Sequence, residues 1–205
     1  MLHESLWTAN LDLAQSCLAH PFVQTLGDGT LEPDLFRAFV AQDAFFLHAF
    51  VKAYALALAR SDDAETIVVF CGLIDGALEE LKLHRVYAAE LGIDLEGVVP
   101  NQTCRAYTDF LLCTAWHRSL AETVAAMTPC MRLYAYLGRQ LASIRSPQHP
   151  YARWIEAYSG DAFAELAGQL EALLDRIGAD TREVRESYRY AMRCELDFFS
   201  ATLSS

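Results

Sequence analysis

The stretch FRAFVAQDAFFLHAFV, residues 36–51, decides the fold class. Its apolar side chains recur at the spacing of one helix face, which is typical of an amphipathic helix packed on a core. They are Phe36, Phe39/Val40, Phe46/Leu47 and Phe50. The same face carries Asp43, although a buried carboxylate without a partner is destabilising or takes up a proton. The stretch predicts a core helix and leaves open why Asp43 lies on its apolar side.

Helical periodicity extends along nearly the whole chain. Its 205 residues include only 10 Gly and 6 Pro, and β-branched runs are nearly absent. The pattern predicts helices near residues 3–18, 33–60, 64–91, 102–117, 119–144, 148–157, 161–177 and 181–203. Turns are predicted at His20-Pro21, 27–30, 61–63, 92–101, Ser146-Pro147, 158–161 and 178–180. Because no linker or repeat divides the chain, we predict one all-α bundle over residues 1–205.

Charge and cysteine content restrict the function. The formal net charge is −11, with 16 Lys and Arg that do not cluster, so binding to nucleic acid or to an anionic membrane surface is not expected. No apolar run reaches the roughly 20 residues of a membrane span, and the first residues lack a basic signal-peptide region. Six cysteines without a CxxC pair favour reduced thiols in the cytoplasm. Small molecules or protein partners remain.

Two further polar anomalies lie on apolar faces. Glu195 falls within the apolar stripe of residues 188–203, in the last predicted helix. Pro129 lies well inside the helix predicted over 119–144, where it should cause a kink, and Cys130 and Tyr134 follow on one face. Each feature has a structural alternative, because buried carboxylates are often held by structural hydrogen bonds and free cysteines often fill core space. Together they favour a shared polar pocket.

Aromatic and histidine residues are less informative. Five tyrosines have the chemistry to line a pocket for a flat heterocycle, although each alone is as easily a core residue; they are Tyr54, Tyr107, Tyr134, Tyr136 and Tyr158. The six histidines form no metal-binding motif, and His84 with Glu80 one turn before it reads as a surface contact. The histidines therefore predict no metal site.

These segments together resemble the TenA (thiaminase II) family. The matching segments, in chain order, are HPFVQTLGDGTL (20–31), F-x-x-F-V-x-QD (36–43), PNQTCRAYTDFL (100–111), MTPCMRLY (127–134), HPYARWIEAYSGD (149–161) and CELDFF (194–199). The resemblance covers essentially the whole chain. It implies the haem-oxygenase-like all-α fold and an aminopyrimidine aminohydrolase that salvages the pyrimidine half of degraded thiamin.

The resemblance also implies roles for individual residues. Cys130 matches a nucleophile that adds to the pyrimidine ring carbon beside the substituted one. Glu195 matches the acid that acts on a ring nitrogen, and Asp43 matches the carboxylate that holds the aminopyrimidine edge. Tyr107 and Tyr134 match orienting hydroxyls, and Tyr158 matches a tyrosine beside the ring. The substrate would be 4-amino-5-aminomethyl-2-methylpyrimidine or thiamin.

Some positions depart from the family pattern. Phe46 stands where many relatives carry Tyr, and Met131-Arg132 replaces an aromatic pair that often follows the cysteine, so Arg132 either points outward or pairs with an acid near the pocket. Relatives are commonly homotetramers, which implies a homo-oligomer here. Two alternatives remain: a non-catalytic pyrimidine-binding or regulatory protein, and a di-iron oxidase of the same fold.

Overall fold

A computed structural model describes residues 1–143 and 149–203. This part of the chain forms helices joined by short connections. They are α1 (Leu2–Thr8), α2 (Leu11–Leu18), α3 (Pro21–Asp28), α4 (Pro33–Ala59), α5 (Ala64–Leu91), α6 (Gln102–His117), α7 (Leu120–Ala142), α8 (Ala152–Ser159), α9 (Asp161–Ile177) and α10 (Arg182–Leu203). The prediction of an all-α bundle is confirmed. Three predictions lie outside the described residues: the helix end at residue 144, the helix start at residue 148 and the Ser146-Pro147 turn.

Helices α4 and α7 organise the bundle. Helix α4 packs against α5 and α6, whereas α7 packs against α8, α9 and α10. The apolar face predicted for α4 is buried, including Phe39 and Phe50. Phe39 lies 5.0 Å from Phe22 of α3 and 6.3 Å from Phe199 of α10, measured between ring centroids. Full burial of such a side chain contributes roughly 1.5–3 kcal/mol, so these rings fasten the two helices to α4.

Capping residues define three of the predicted helix starts. The side chain of Asp63 accepts a hydrogen bond from the amide of Thr66 at 2.8 Å, at the start of α5. Asn101 caps α6, and Ser119 forms a capping box at the start of α7. Each cap accepts from an amide of the first turn, which has no acceptor within the helix. These starts were readable from sequence for that reason.

The predicted helix 3–18 is wrong in one respect, because it is two helices. Helix α1 ends at Thr8 and α2 begins at Leu11. Between them, the buried Asn10 side chain donates to the carbonyl oxygen of Leu6 at 2.8 Å. Asparagine side chains compete with the backbone for such bonds and so favour helix ends. The chain turns at Asn10 for this reason.

Helix α3 is absent from the predicted helices, because both of its ends carry sequence signals of turns. His20 caps it by accepting from the amide of Phe22, and Pro21 occupies the first turn. Gly29 ends it with φ of 84°, the left-handed conformation that glycine adopts without strain. The predicted turn at 158–161 is likewise shorter than expected. Helix α8 continues to Ser159, and α9 begins at Asp161.

A close contact between α7 and α8 positions the end of α8. Gly138 of α7 faces the backbone of Tyr158, and a Cβ atom at residue 138 would lie 2.5 Å from the Tyr158 carbonyl carbon. Only glycine permits this approach. The backbone of α8 therefore lies directly against α7 at the residue whose side chain enters the cavity described next.

Candidate active site

A cavity of about 350 Å³ lies between α4, α5, α7, α8 and α9. Its volume is at the small end of the range for ligand sites, ~300–1,000 Å³. The walls are mostly apolar, as expected for a site that receives a flat ring. Most of its polar side chains are Asp43, Tyr54, Glu80, Cys130, Tyr134 and Tyr158. Five of the predicted site residues line it, namely Asp43, Phe46, Cys130, Tyr134 and Tyr158.

Cys130 of α7 presents its sulfur to the cavity although only 8% of the residue is exposed. Helix α7 runs continuously through Pro129, so the expected kink stays a prediction. Burial raises the pKa of the Cys130 thiol well above its ordinary value, and the nearby carboxyls of Glu195, Glu80 and Asp43 raise it further. The sulfur is therefore a neutral thiol, and it needs a base before it can act as a nucleophile.

Glu195 and Tyr107 lie behind the thiol, outside the set of cavity-lining residues. The Tyr107 hydroxyl donates to Glu195 Oε1 at 2.6 Å, and the Cys130 thiol is hydrogen-bonded to the same carboxyl group. Burial raises the pKa of Glu195 to about 8, although the hydrogen bonds from Tyr107 and Cys130 oppose that rise. Glu195 therefore exchanges a proton near neutral pH. It does not line the cavity itself, and the Cys130 thiol connects it to the cavity.

Asp43 of α4 is held from outside the cavity by His84 of α5. The His84 Nε2 atom lies 2.8 Å from Asp43 Oδ2, and its Nδ1 atom lies 3.0 Å from the backbone oxygen of Glu80. The carbonyl oxygen can only accept, so Nδ1 carries a proton. Burial lowers the pKa of His84, but the hydrogen bond and charge of Asp43 outweigh it and raise the pKa to about 9. The pair is an imidazolium bound to a carboxylate, which answers why the core tolerates Asp43.

Aromatic side chains fill the space around these groups. Phe46 packs on Tyr107, with 4.8 Å between the ring centroids. Tyr158 lies 4.9 Å from Tyr134 and 4.6 Å from Trp154. Phe46 keeps the flat surface of an aromatic residue without a hydroxyl, so the cavity wall at this position is purely apolar.

Sequence reasoning missed three polar groups. The interpretation of Glu80 and His84 as a surface pair is wrong, because His84 is 1% exposed and Glu80 lines the cavity. The periodicity of α5 contained the signal, since both residues continue the buried face of Leu73 and Ala77. The third is Tyr54 of α4, considered above only as one of several tyrosines.

The hydroxyl of Tyr54 has no hydrogen-bond partner among the described residues, although its residue lines the cavity. Buried hydroxyls are usually paired. An unpaired hydroxyl at a cavity wall is a position where a ligand could hydrogen-bond.

Arg132 was predicted either to point outward or to pair with an acid near the pocket, and its position matches neither prediction completely. Its Nε atom lies 3.5 Å from Glu171 Oε1, and its guanidinium carbon lies 5.0 Å from the centre of the Trp7 ring. It thus pairs with an acid of α9 that does not line the cavity. This cluster ties α1 to α7 and α9 and has no direct part in the site.

Two kinds of feature are absent from residues 1–143 and 149–203. No group of three or more His, Cys, Asp or Glu in this part of the chain is arranged to hold a metal ion. None of its helices is long and apolar enough to span a membrane.

Solved structures define the fold class. A domain of unknown function from Shewanella denitrificans with a heme oxygenase-like fold has a TM-score of 0.67 at 17% identity, over 98% of this chain and 90% of that one. A TenA homologue from Pyrococcus furiosus has a TM-score of 0.92 at 22% identity, over 98% and 100%. A TenA family transcription regulator from a Silicibacter species has a TM-score of 0.93 at 25% identity, over 100% and 97%. The fold is haem-oxygenase-like, as predicted.

Sequence relationships define the family. The TENA/THI-4/PQQC family model matches residues 7–205, so the chain belongs to this family. The aminopyrimidine aminohydrolase of Halalkalibacterium halodurans is 40% identical over 76% of this chain and 72% of its own length. That of Bacillus subtilis is 33% identical over 87% and 76%. The predicted hydrolase class is supported by both.

A longer plant relative matches as well. The mitochondrial bifunctional TH2 protein of Arabidopsis thaliana is 36% identical over 88% of this chain. The match covers 34% of the plant protein, so this chain spans about a third of its length.

Proposed function

We propose that the protein is an aminopyrimidine aminohydrolase of the thiaminase II type, acting by cysteine nucleophilic catalysis in thiamin salvage. One observation carries the proposal: the Cys130 thiol lies at a cavity wall shared with Asp43 and is hydrogen-bonded to Glu195. A nucleophile, its base and a carboxylate for the substrate are thus adjacent. The names of the relatives from Halalkalibacterium and Bacillus support the same reaction class.

The proposed substrate is 4-amino-5-aminomethyl-2-methylpyrimidine, with thiamin as a second substrate. Asp43 keeps one oxygen on His84, and its other oxygen is free to accept from the exocyclic amino group of the ring. Tyr134, Tyr158 and Phe46 supply aromatic walls for the pyrimidine. No metal or organic cofactor has a role in the proposed reaction.

The chemistry begins with one proton relay. The Glu195 carboxylate takes the proton of the Cys130 thiol, and the sulfur adds to the ring carbon beside the substituted one. Glu195 then gives that proton to a ring nitrogen, which accepts the electron pair displaced from the ring. The ring can now expel the amine from its methylene group. Water adds to the methylene carbon, and loss of the thiol restores the aromatic ring.

The test is ammonia release from the aminomethylpyrimidine and pyrimidine release from thiamin, measured side by side. We expect Cys130→Ser to lower kcat at least a thousandfold, because the hydroxyl is a far weaker nucleophile. Cys113→Ser, at an exposed position of α6, is the matched control and should keep wild-type turnover. If Cys130→Ser turns over at the wild-type rate, the covalent mechanism is wrong.

A non-catalytic regulator is the second candidate, favoured by the name of the Silicibacter relative. It would bind a pyrimidine without turnover, and the same assay distinguishes the two. No group of metal ligands on the described residues favours the di-iron alternative. A homotetramer and a cytoplasmic location stay predictions, and sedimentation analysis tests the first.

A further inference from the structure

Glu80 is a cavity carboxyl that the reaction described above leaves unused. It lies on α5, lines the cavity and is half-buried. The Tyr158 hydroxyl donates a hydrogen bond to its Oε1 atom. A carboxyl group in an apolar cavity lowers stability unless its oxygens have hydrogen-bond partners. A cavity carboxyl with few partners therefore suggests a function. One oxygen of Glu80 is fixed by Tyr158, which orients the group.

The position of Glu80 relates it to one part of a bound substrate. The deep wall of the cavity is formed by buried residues of α4 and α7, including Phe46 and Cys130. Its outer part is formed by α5 and α9, where Glu79 and Ala162 are exposed. Glu80 lies on α5 beside this outer part. In the proposed complex, a ring held at the thiol and at Asp43 leaves its remaining substituent, the leaving group, in the rest of the cavity, which Glu80 lines.

The electrostatic surroundings suit proton transfer in both directions. Burial and the charge of Asp43 raise the pKa of Glu80 to about 7, while His84 and the Tyr158 hydrogen bond oppose the rise. The other titratable groups influenced by its charge are Tyr54, Cys130 and Tyr134. The facing residues of α9 in the cavity, Phe163 and Leu166, are apolar. A group with a pKa near the working pH acts efficiently as both acid and base.

We propose that Glu80 is a catalytic residue, which protonates the departing amine and then deprotonates the water that replaces it. This inference rests on the proposed function. The carbon–nitrogen bond breaks with its electron pair going to nitrogen, which takes the Glu80 proton and leaves as ammonia. Water then forms the new carbon–oxygen bond and returns a proton to the Glu80 carboxylate. Glu80 ends the cycle as it began, protonated.

The other nearby carboxyls are engaged elsewhere, and Glu79 at the cavity edge is exposed and paired with Lys82. Asp43 is paired with His84 and faces the ring edge in the proposed complex. Glu195 lies behind the sulfur and is bonded to Tyr107. Glu80 lines the cavity and takes no part in holding the ring or the thiol in the proposed reaction.

The two candidate substrates give a direct test. The amino group must gain a proton to leave as ammonia, whereas the thiazolium of thiamin already carries a positive charge and leaves as a neutral thiazole without a proton. We expect Glu80→Gln to lower kcat for the aminomethylpyrimidine ~10²–10⁴-fold, and to lower it at least tenfold less for thiamin. The pH dependence of kcat/KM should also lose an ionisation near pH 7.

Controls separate this outcome from a structural effect. Glutamine keeps an oxygen that accepts from Tyr158, so the fold should survive, which circular dichroism checks. Glu90→Gln alters another carboxyl of α5, one paired with Arg153 on the surface, and should leave both activities unchanged. An equal loss on both substrates, or no loss on either, overturns the role of Glu80. Absence of turnover in the wild-type protein instead refutes the proposed function, and this inference with it.

Discussion

Removal of the Tyr107 hydroxyl tests the proton relay directly. In Tyr107→Phe the ring stays in place against Phe46, and the change deletes a single hydrogen bond, the 2.6 Å contact to Glu195 Oε1. That bond stabilises the ionised carboxylate and opposes the rise in the Glu195 pKa caused by burial. Without it the pKa of Glu195 rises further.

The size of the effect follows from the strength of such a bond. Hydrogen bonds to charged groups contribute roughly 1.5–3 kcal/mol, and 1.36 kcal/mol corresponds to a tenfold change in an ionisation equilibrium. At the lower end of this range, the ionised fraction of Glu195 below its pKa falls about tenfold. Because the relay needs the carboxylate to take the thiol proton, kcat/KM at pH 6 should fall by the same factor and recover at high pH.

The assay is the pH profile of kcat/KM for ammonia release, measured between pH 5 and 9. We expect the acidic limb of Tyr107→Phe to lie at higher pH than that of the wild type. Tyr136→Phe removes a hydroxyl from α7 at a position outside the cavity lining and should leave the profile unchanged. An acidic limb at the wild-type pH, or below it, would refute the role of ionised Glu195.

Three further predictions concern the thiol, the α7–α8 contact and the buried acid. Iodoacetamide should alkylate exposed Cys113 at least about tenfold faster than Cys130 at pH 7.5, because burial and nearby negative charge keep Cys130 a neutral thiol. Mass spectrometry of the labelled peptides measures the two rates, and preferential labelling of Cys130 would contradict this prediction. Gly138→Ala should lower the free energy of unfolding by about 1–3 kcal/mol, since the new Cβ would meet the backbone of Tyr158. Gly168→Ala on α9, where the new Cβ would meet no atom, should raise the free energy of unfolding slightly. Similar urea midpoints for the two variants would contradict the packing argument. The folded-state pKa of Glu195, about 8, lies above its ordinary 4.5, so the contribution of Glu195 to stability is fully present below pH 4.5 and is lost as pH rises to about 8. The stability of Glu195→Gln relative to the wild type should therefore increase between pH 5 and 8 in urea titrations, and a constant difference would contradict it.

Local sequence signals predicted the helices that have clear caps or clear apolar faces. The α4 stripe and the capping residues Asp63, Asn101 and Ser119 act within a few residues of chain, so they are readable without tertiary contacts. Asn10 and the ends of α3 were misread for a related reason. A polar residue or a proline can end a helix or start one, and the choice depends on a hydrogen bond that the sequence alone does not specify.

The features of the candidate site also separate into those predictable from sequence and those that depend on tertiary contacts. The sequence by itself determined that Asp43, Cys130 and Glu195 lie on apolar helix faces, because a 3.6-residue period assigns each position to a face. Only the tertiary structure decided that His84 would neutralise Asp43 and that Glu80 would enter the cavity. Whether a polar side chain meets water, a partner or a ligand space depends on which helix packs opposite it, and that contact joins residues 41 positions apart for Asp43 and His84.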